Sequence, residues 1–222
     1  MKKFEHLRSQ SQAERTRSAV LEAAEHLFAR RGYALTRLED VAETVGLTRS
    51  ALFYHFKDKQ TLYEAVLEDS FGSLATRVDE ALSAPISAAQ RIERAVEALV
   101  DALVARPTLA RLLLRHVADA EEHPERRLYP ASDRLFRKGW SAFQEGIRNG
   151  EIKPIHDNPF YGASTLIGTT VFYVSALTTL LPPNIFDPLV PEHVAIHKQD
   201  VLQAARRLFG IGGQPRKRKR SR

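Results

Sequence analysis

The sequence predicts an all-α fold of about nine helices, with a small N-terminal three-helix module followed by a larger helical domain. Three observations support this. Apolar residues recur at the i, i+3, i+4 and i+7 spacing of one helical face. Glycine, proline and capping residues stand where such stretches begin or end. Strand-like alternation is nearly absent, and no internal repeat is found.

Composition describes a soluble globular chain, with 43% hydrophobic and 27% charged residues among 222. The absence of cysteine excludes disulfides and thiol chemistry, and a reducing compartment follows as the default. The first residues are basic but lack an apolar run after them, so no secretory signal is predicted. We therefore expect a cytoplasmic protein.

The net charge of +6 is unevenly distributed. Residues 1–63 carry a net charge of +3, and residues 64–215 carry −3. The tail, residues 216–222, adds six positive charges and no acidic residue. Basic ends on a slightly acidic body favour a polyanionic partner at the ends. The tail itself is either a polyanion-binding arm or a solvated end.

The first predicted helix covers residues 12–31 and ends at Gly32. Its buried stripe consists of Val20, Ala24, Leu27 and Phe28. A second helix starts at Thr36, because Thr36 and Glu39 have the spacing of a capping box. Its apolar face consists of Leu38, Val41, Ala42 and Val45.

A tight turn at Gly46 separates this helix from a third, residues 49–56, for which Thr48 is the predicted cap. This is a helix-turn-helix arrangement, whose second helix enters the DNA major groove with its N-terminal residues first. Leu52 and Phe56 lie four residues apart and are expected to close the core of the module.

The remaining helices are delimited by glycine, proline and asparagine. They are predicted at residues 59–82, 88–105, 108–120, 132–149, 159–181 and 192–209. The predicted organisation is a flexible N-terminus, a DNA-binding domain, a ligand-binding and dimerisation domain, and a basic disordered tail. These comprise residues 1–11, 12–63, 64–210 and 211–222.

Residues 160–181 contain no charged side chain and are long enough to span a bilayer. However, hydroxyl side chains and glycines make the segment only mildly apolar, and neither flank has a basic cluster. We therefore expect a buried helix that packs with one face on its own domain and the other on a second subunit.

The run from Ala34 to Val66 resembles the signature of the TetR family of bacterial transcriptional regulators. The matching residues are Thr36, Val41, Ala42, Gly46, Leu47, Thr48, Leu52, His55, Phe56, Lys59 and Leu62. Phe53 departs from the pattern, which usually has tyrosine there. The resemblance implies a homodimer that binds a two-fold-related operator through its two modules. It further implies a C-terminal domain that binds a ligand and sets the distance between the modules, so that the regulator, a repressor, leaves DNA when the effector binds.

The predicted DNA contacts are Thr36, Thr48, Arg49, Ser50, Ala51, Phe53, Tyr54, His55 and Lys59. Arg49 is the first candidate for base recognition, since a guanidinium binds guanine O6 and N7 through two hydrogen bonds. The alternative for Arg49 is a phosphate contact. Phosphate contacts are expected from Thr36, Thr48, Tyr54, His55 and Lys59, and Lys59 could instead be a solvated surface lysine.

Two further sets of residues are predicted in the C-terminal domain. The ligand pocket is expected among Leu112, His116, Phe136, Trp140, Phe143, Phe172 and Leu177, although each of these also suits an ordinary core. Aromatic residues on one helix favour an apolar or aromatic effector. The dimer interface is expected at Leu166, Thr170, Val174, His193, His197, Val201 and Ala204.

Neither a metal nor another cofactor is predicted. The spacings of His193, His197 and Asp200, and of His116, Asp119 and His123, leave a divalent ion open. No catalytic motif is recognisable, so an enzyme is not expected. The alternative function is a helical small-molecule binding protein or enzyme that lacks DNA binding, which Phe53 would favour.

Overall fold

The structure is a computed structural model that describes residues 2–119 and 129–212, with side chains for 12–119 and 133–212. This part of the chain is helical, as predicted, and contains no strand. Its helices are α1 (Lys2–Leu35), α2 (Leu38–Thr44), α3 (Arg49–His55), α4 (Lys59–Ser83), α5 (Ala88–Ala105), α6 (Pro107–Asp119), α7 (Tyr129–Arg148), α8 (Pro159–Ser175), α9 (Leu177–Leu180) and α10 (Pro191–Phe209).

Helix α1 differs from the prediction at its start. It begins at Lys2 rather than at Gln12, because residues 2–11 contain neither glycine nor proline to stop the backbone hydrogen bonds. The predicted end is confirmed, since Gly32 has φ 77° and ψ 171° and interrupts the helix before its last residues.

The predicted helix 159–181 divides at Ala176 into α8 and the single turn α9. Its start is confirmed, because the Asn158 side chain accepts a hydrogen bond from the Phe160 amide at 2.9 Å. Near the break, the Ser175 hydroxyl donates to the Val171 carbonyl and the Thr178 hydroxyl donates to the Ser175 carbonyl. Such hydroxyl bonds to the preceding turn compete with the helical pattern and bend it.

The described chain forms two compact units. The first contains the residues up to Ser73 and residues 106–119, and the second contains 74–105 and 129–212. Helix α6 therefore belongs to the first unit, whereas the sequence placed it in the C-terminal domain. Within the first unit, Arg106 and Ser70 contact the buried carboxylate of Glu25 on α1.

The core of the second unit joins α5, α7, α8 and α10. Its buried residues include Ile92, Val96, Val100, Phe143, Ile152, Leu166, Val201, Ala205 and Phe209. Gly210 ends α10 with φ 64°, and the backbone of residues 153–155 pairs with that of 208–210. A Cβ at Gly210 would clash with the Lys153 carbonyl oxygen, so only glycine fits there.

The burial of α8 and α10 contradicts most of the predicted dimer interface. Five of its members are buried inside a single chain, namely Leu166, Thr170, Val174, His197 and Val201. His193 and Ala204 are half-buried. The regular apolar stripe of each helix faces the core of its own unit, because that is where apolar burial stabilises the fold. The opposite face of α8 is exposed at Tyr161, Ser164, Thr165, Gly168, Thr169 and Phe172.

Candidate nucleic-acid interface

Helices α2 and α3 form the predicted helix-turn-helix. The turn is made by Gly46 at φ 68°, and the amide of Leu47 donates to the Ala42 carbonyl at 2.8 Å. Thr48 caps α3, as predicted, because its hydroxyl oxygen accepts from the Ala51 amide at 3.2 Å. The Ser50 hydroxyl lies 3.0 Å from the same oxygen. These bonds hold the N-terminal turn of α3 in place.

The two faces of α3 have different environments. Leu52 and Phe56 are 0% and 2% exposed, and Val41 and Ala42 on α2 are buried as well, as the sequence predicts. Leu38 is half-buried. On the other face, Arg49, Ser50, Phe53 and Tyr54 are exposed, and Ala51 and His55 are half-buried. One face of α3 therefore lies against the core of the module, and the predicted DNA contacts lie on the outer face.

Arg49 is held from two sides on the exposed face. Its Nε lies 3.1 Å from Glu39 Oε1, and the two side chains are 68% and 51% exposed. Its Cζ lies 5.3 Å from the ring centroid of Phe53, one helical turn away. A guanidinium over an aromatic face is attracted by the ring quadrupole. Glu39 and Phe53 thus restrict where the guanidinium of Arg49 points.

The predicted capping box at Thr36 is wrong. Arg37 is the N-cap of α2 and makes no side-chain cap bond, whereas the Thr36 hydroxyl donates to the Gly32 carbonyl at 2.8 Å. Thr36 is 1% exposed. Its hydroxyl therefore stabilises the break after α1, and a phosphate contact through that hydroxyl conflicts with the structure. The Thr36 hydroxyl reaches the Gly32 carbonyl because the helix is interrupted at that glycine.

Lys59 has a structural role that the sequence did not predict. Its ammonium donates to the carbonyls of Ala34 and Thr36 at 3.1 and 2.9 Å. It also lies 4.3 Å from the ring centroid of Tyr33. Lys59 therefore links the start of α4 to the end of α1 and the residue that follows it. Its phosphate contact stays a prediction.

Arg37 is an exposed basic residue of the helix-turn-helix that is absent from the DNA contacts predicted from sequence. It is exposed at the N-cap of α2, with extended backbone angles of φ −110° and ψ 149°. A basic residue directly before the first apolar position of a helix-turn-helix was the available signal. The exposed Lys57, after α3, was missed in the same way. The basic tail lies outside the described residues.

The predicted pocket residues fall into both compact units. Leu112 and His116 are 0% and 5% exposed in the first unit, where the Tyr63 hydroxyl lies 3.1 Å from His116 Nδ1. In the second unit Phe143 is buried in the core, Leu177 is half-buried and Phe172 is exposed. Their role as a pocket stays a prediction.

Three half-exposed rings cluster where α7 meets the start of α8. Phe160 lies 5.4 Å from Phe136 and 6.0 Å from Trp140 between ring centroids. The exposed fractions are 48% for Phe136, 40% for Trp140 and 44% for Phe160. Phe160 was not among the pocket residues predicted from sequence, and its contact with Phe136 and Trp140 depends on how α7 and α8 pack.

The histidines of α10 each stack on an aromatic ring. His197 lies 3.7 Å from Tyr173 and His193 lies 4.4 Å from Phe186, between ring centroids. Burial lowers the pKa of His197, and Asp200 opposes this in part. Within the described ranges no group of three or more candidate ligands is arranged to hold a metal ion. His123 lies outside those ranges.

One helical stretch in the described chain, Pro159–Leu180, is long and apolar enough to cross a membrane. An 18-residue part of this stretch has a mean hydropathy of 1.3, and 28% of that part is buried. Length and composition are the only evidence for a membrane span here, and the core helix of a soluble protein can be equally long and apolar.

A helix-turn-helix with one buried and one exposed helical face, attached to a helical unit, defines a class of two-domain helix-turn-helix proteins. Comparison with known families specifies it further. Residues 20–66 match the family of bacterial regulatory proteins, tetR family. Residues 85–181 match the tetracyclin repressor-like C-terminal domain. The chain belongs to the TetR family.

Its relatives are transcriptional regulators. The chain is 44% identical over 61 residues to TtgR of Pseudomonas putida, a match that covers 28% of this chain and 29% of TtgR. The match thus spans less than a third of that relative. The repressor KstR2 of Mycolicibacterium smegmatis is 26% identical over 145 residues, covering 65% of this chain and 71% of KstR2.

Solved structures show the same fold. KstR2 of Mycobacterium tuberculosis, a ketosteroid transcriptional regulator, aligns with a TM-score of 0.62 at 17% identity, over 85% of this chain and 92% of that one. A tetR-family protein from Rhodococcus RHA1 aligns with a TM-score of 0.64 at 19% identity, over 87% and 97%. The predicted family and fold class are confirmed.

Proposed function

We propose that this protein is a cytoplasmic, ligand-responsive transcriptional repressor that binds a two-fold-related operator as a homodimer. The observation that carries the proposal is the exposed face of α3, where Arg49, Ser50, Phe53 and Tyr54 project from a capped and well-packed module. The N-terminal turn of such a helix contacts base edges. Arg37 is proposed as an additional phosphate contact.

DNA binding is tested with the full chain and fragments selected from a random-sequence duplex library. Arg49→Ala should weaken binding by about 5- to 150-fold, since a bidentate base contact contributes about 1–3 kcal/mol. Arg207→Ala is the matched control, because it removes the same charge from an exposed site on α10. No binding by the wild type at low salt would contradict the proposal and favour a binding protein without DNA activity. Equal affinity of the two variants would contradict the role of Arg49 in base recognition.

The dimer is proposed to form through the exposed face of α8, beside α10. Helix α8 contains no charged residue, and its exposed face combines small residues with Phe172, which is 54% exposed. Small residues allow two helices to approach closely. The hydroxyls of Ser164, Thr165 and Thr169 already donate to carbonyls of the preceding turn, which lowers the cost of burying them. A second copy would place two α3 helices on one operator, roughly 34–36 Å apart.

Gly168→Arg tests this interface without disturbing the fold. A Cβ at Gly168 meets nothing within 4 Å, and the same is true of Gly139 on α7, so Gly139→Arg is the matched control. We expect the first variant to sediment as a monomer and the second as a dimer. If both variants sediment as dimers, the interface lies elsewhere.

The effector is proposed to be small and apolar or aromatic. The half-exposed rings of Phe136, Trp140 and Phe160 support this class. So does the ketosteroid transcriptional regulator KstR2 of Mycobacterium tuberculosis, whose structure has the same fold. Trp140 is the single tryptophan of the chain, so its fluorescence reports on this cluster directly.

A compound that releases the DNA fragment should also change Trp140 fluorescence over the same concentration range. Phe160→Ala should shift both titrations to higher concentration. Released DNA with unchanged fluorescence, or a preference for small and highly charged compounds only, would remove the basis for this effector class.

A further inference from the structure

Glu39, Arg49 and Phe53 form one group on the exposed surface of the helix-turn-helix. Glu39 comes from α2 and the other two from α3. The contacts are a 3.1 Å ion pair from Arg49 Nε to Glu39 and a 5.3 Å approach of Arg49 Cζ to the Phe53 ring. All three side chains are exposed, so the group is free to meet a partner.

The ion pair orients the guanidinium. An exposed salt bridge contributes little to stability, so its main consequence is geometric. Because the contact with Glu39 is made by Nε, the two terminal amino groups of Arg49 can supply the pair of hydrogen bonds to a base. That pair matches the O6 and N7 acceptors of guanine in the major groove.

Phe53 supplies a different contact. It has no hydroxyl, so it cannot donate a hydrogen bond to a phosphate. Its ring is 38% exposed and apolar, which suits contact with the C5-methyl group of a pyrimidine. Neighbouring base pairs are stacked about 3.4 Å apart. The 5.3 Å between Arg49 Cζ and the ring therefore fits two adjacent base pairs with a lateral offset.

We infer that Glu39, Arg49 and Phe53 together recognise a guanine next to a C5-methylated pyrimidine in each half of the operator. Arg49 binds the guanine, Phe53 contacts the methyl group, and Glu39 is a positioning residue for Arg49. The inference rests on the proposed DNA-binding function. Thymine and 5-methylcytosine both carry this methyl group, and the experiment separates them.

The test uses a duplex selected by the full-length wild type from a random-sequence library, with affinity measured by fluorescence anisotropy. In each half-site the thymine beside the critical guanine is replaced by deoxyuridine, which removes only the methyl group. We expect about a fourfold loss per half-site, the value of one buried methyl group. Cytosine at that position should lower the affinity, and 5-methylcytosine should restore it, if the methyl group alone is recognised.

The protein variants assign the contact. Phe53→Ala should bind the thymine and deoxyuridine duplexes equally, whereas Phe53→Tyr keeps the ring and should keep the preference. Glu39→Gln should reduce the discrimination between guanine and adenine at the Arg49 position. Glu43→Gln is its control, since it removes the same charge from an exposed site on α2 and should leave that discrimination unchanged. Melting curves establish that each variant is folded.

The outcomes separate this inference from the function on which it rests. If the wild type selects no duplex at all, the proposed function and the inference both fail. If it selects a duplex but no thymine-to-deoxyuridine change lowers affinity, the role of Phe53 is refuted while DNA binding stands. If Glu39→Gln and Glu43→Gln behave alike in the guanine test, the positioning role of Glu39 is refuted.

Discussion

Replacing Arg106 with alanine should destabilise the first unit, because it leaves a buried carboxylate without its cation. Glu25 is 2% exposed, and its carboxylate accepts hydrogen bonds from Ser70 Oγ at 2.7 Å and Arg106 Nε at 3.0 Å. Arg106 Nη2 and Thr108 Oγ1 also donate to it. Arg106 stands immediately before α6, so the network ties α6 to α1 and α4.

The magnitude follows from this geometry. Removing one partner of a buried ion pair costs about 3–5 kcal/mol. The Arg106 side chain is 34% exposed, and Ser70 and Thr108 still donate after its removal, so we expect the lower end, about 3 kcal/mol. In a chain of this size that corresponds to a fall in Tm of about 6–12 °C.

Calorimetry at neutral pH measures the effect, with Arg137→Ala as control. The pair of Arg137 with Asp133 is 78% and 55% exposed, so its loss should cost less than about 1 kcal/mol. Adding Glu25→Gln to Arg106→Ala should recover part of the loss by removing the unpaired charge. Equal Tm values for Arg106→Ala and Arg137→Ala would refute the reasoning, and a lack of recovery would show that packing rather than charge is responsible.

Three further predictions concern single residues. Lys59→Met should lower the free energy of unfolding by about 1.5–3 kcal/mol, the value of hydrogen bonds to a charged group. Arg37→Ala should leave stability unchanged and reduce the salt slope of DNA binding by about 1. The reverse pattern would make Lys59 the phosphate contact. Burial lowers the pKa of His197 in the folded state. As the pH falls below about 6.5, the unfolded chain therefore binds more protons at this residue than the folded chain does. The stability that His197 contributes above that pH is lost below it. Thermal melts across this window should show a smaller loss for His197→Phe, which keeps the stack on Tyr173, and an identical pH dependence would contradict the assignment. Gly210→Ala should lower Tm because its Cβ meets the Lys153 carbonyl. Gly139→Ala, in an open helical site, should instead stabilise the fold by about 0.5–1 kcal/mol. An unchanged Tm for Gly210→Ala would mean that the loop at Lys153 can move.

Much of the module was predictable because the interactions that form it are local. The turn at Gly46, the cap at Thr48 and the division of α3 into Leu52 and Phe56 inside and Arg49 outside depend on residues at most seven positions apart. Thr36 shows the limit of that approach. Its spacing to Glu39 suits a capping box, yet the break at Gly32 offers a nearby carbonyl that captures the hydroxyl instead.

The outward face of α8 was not predictable from its own residues, because the helix is uncharged all round and periodicity alone cannot say which side is covered. Packing against α5 and α10 decided it, and the stripe predicted to meet a second subunit became core. Phe136, Trp140 and Phe160 likewise became one cluster only when α7 and α8 were brought together.

The sequence by itself determined the all-helical class, the family and the helix-turn-helix, because glycine, proline, caps and helical spacing act over a few residues. The tertiary structure alone decided which distant side chains meet. It joined Arg106 to Glu25, Lys59 to two carbonyls at the end of α1, and Glu39 to Arg49 beside Phe53. The physical reason is that a charged or aromatic side chain takes its role from its partners, and those partners are set by packing rather than by sequence distance.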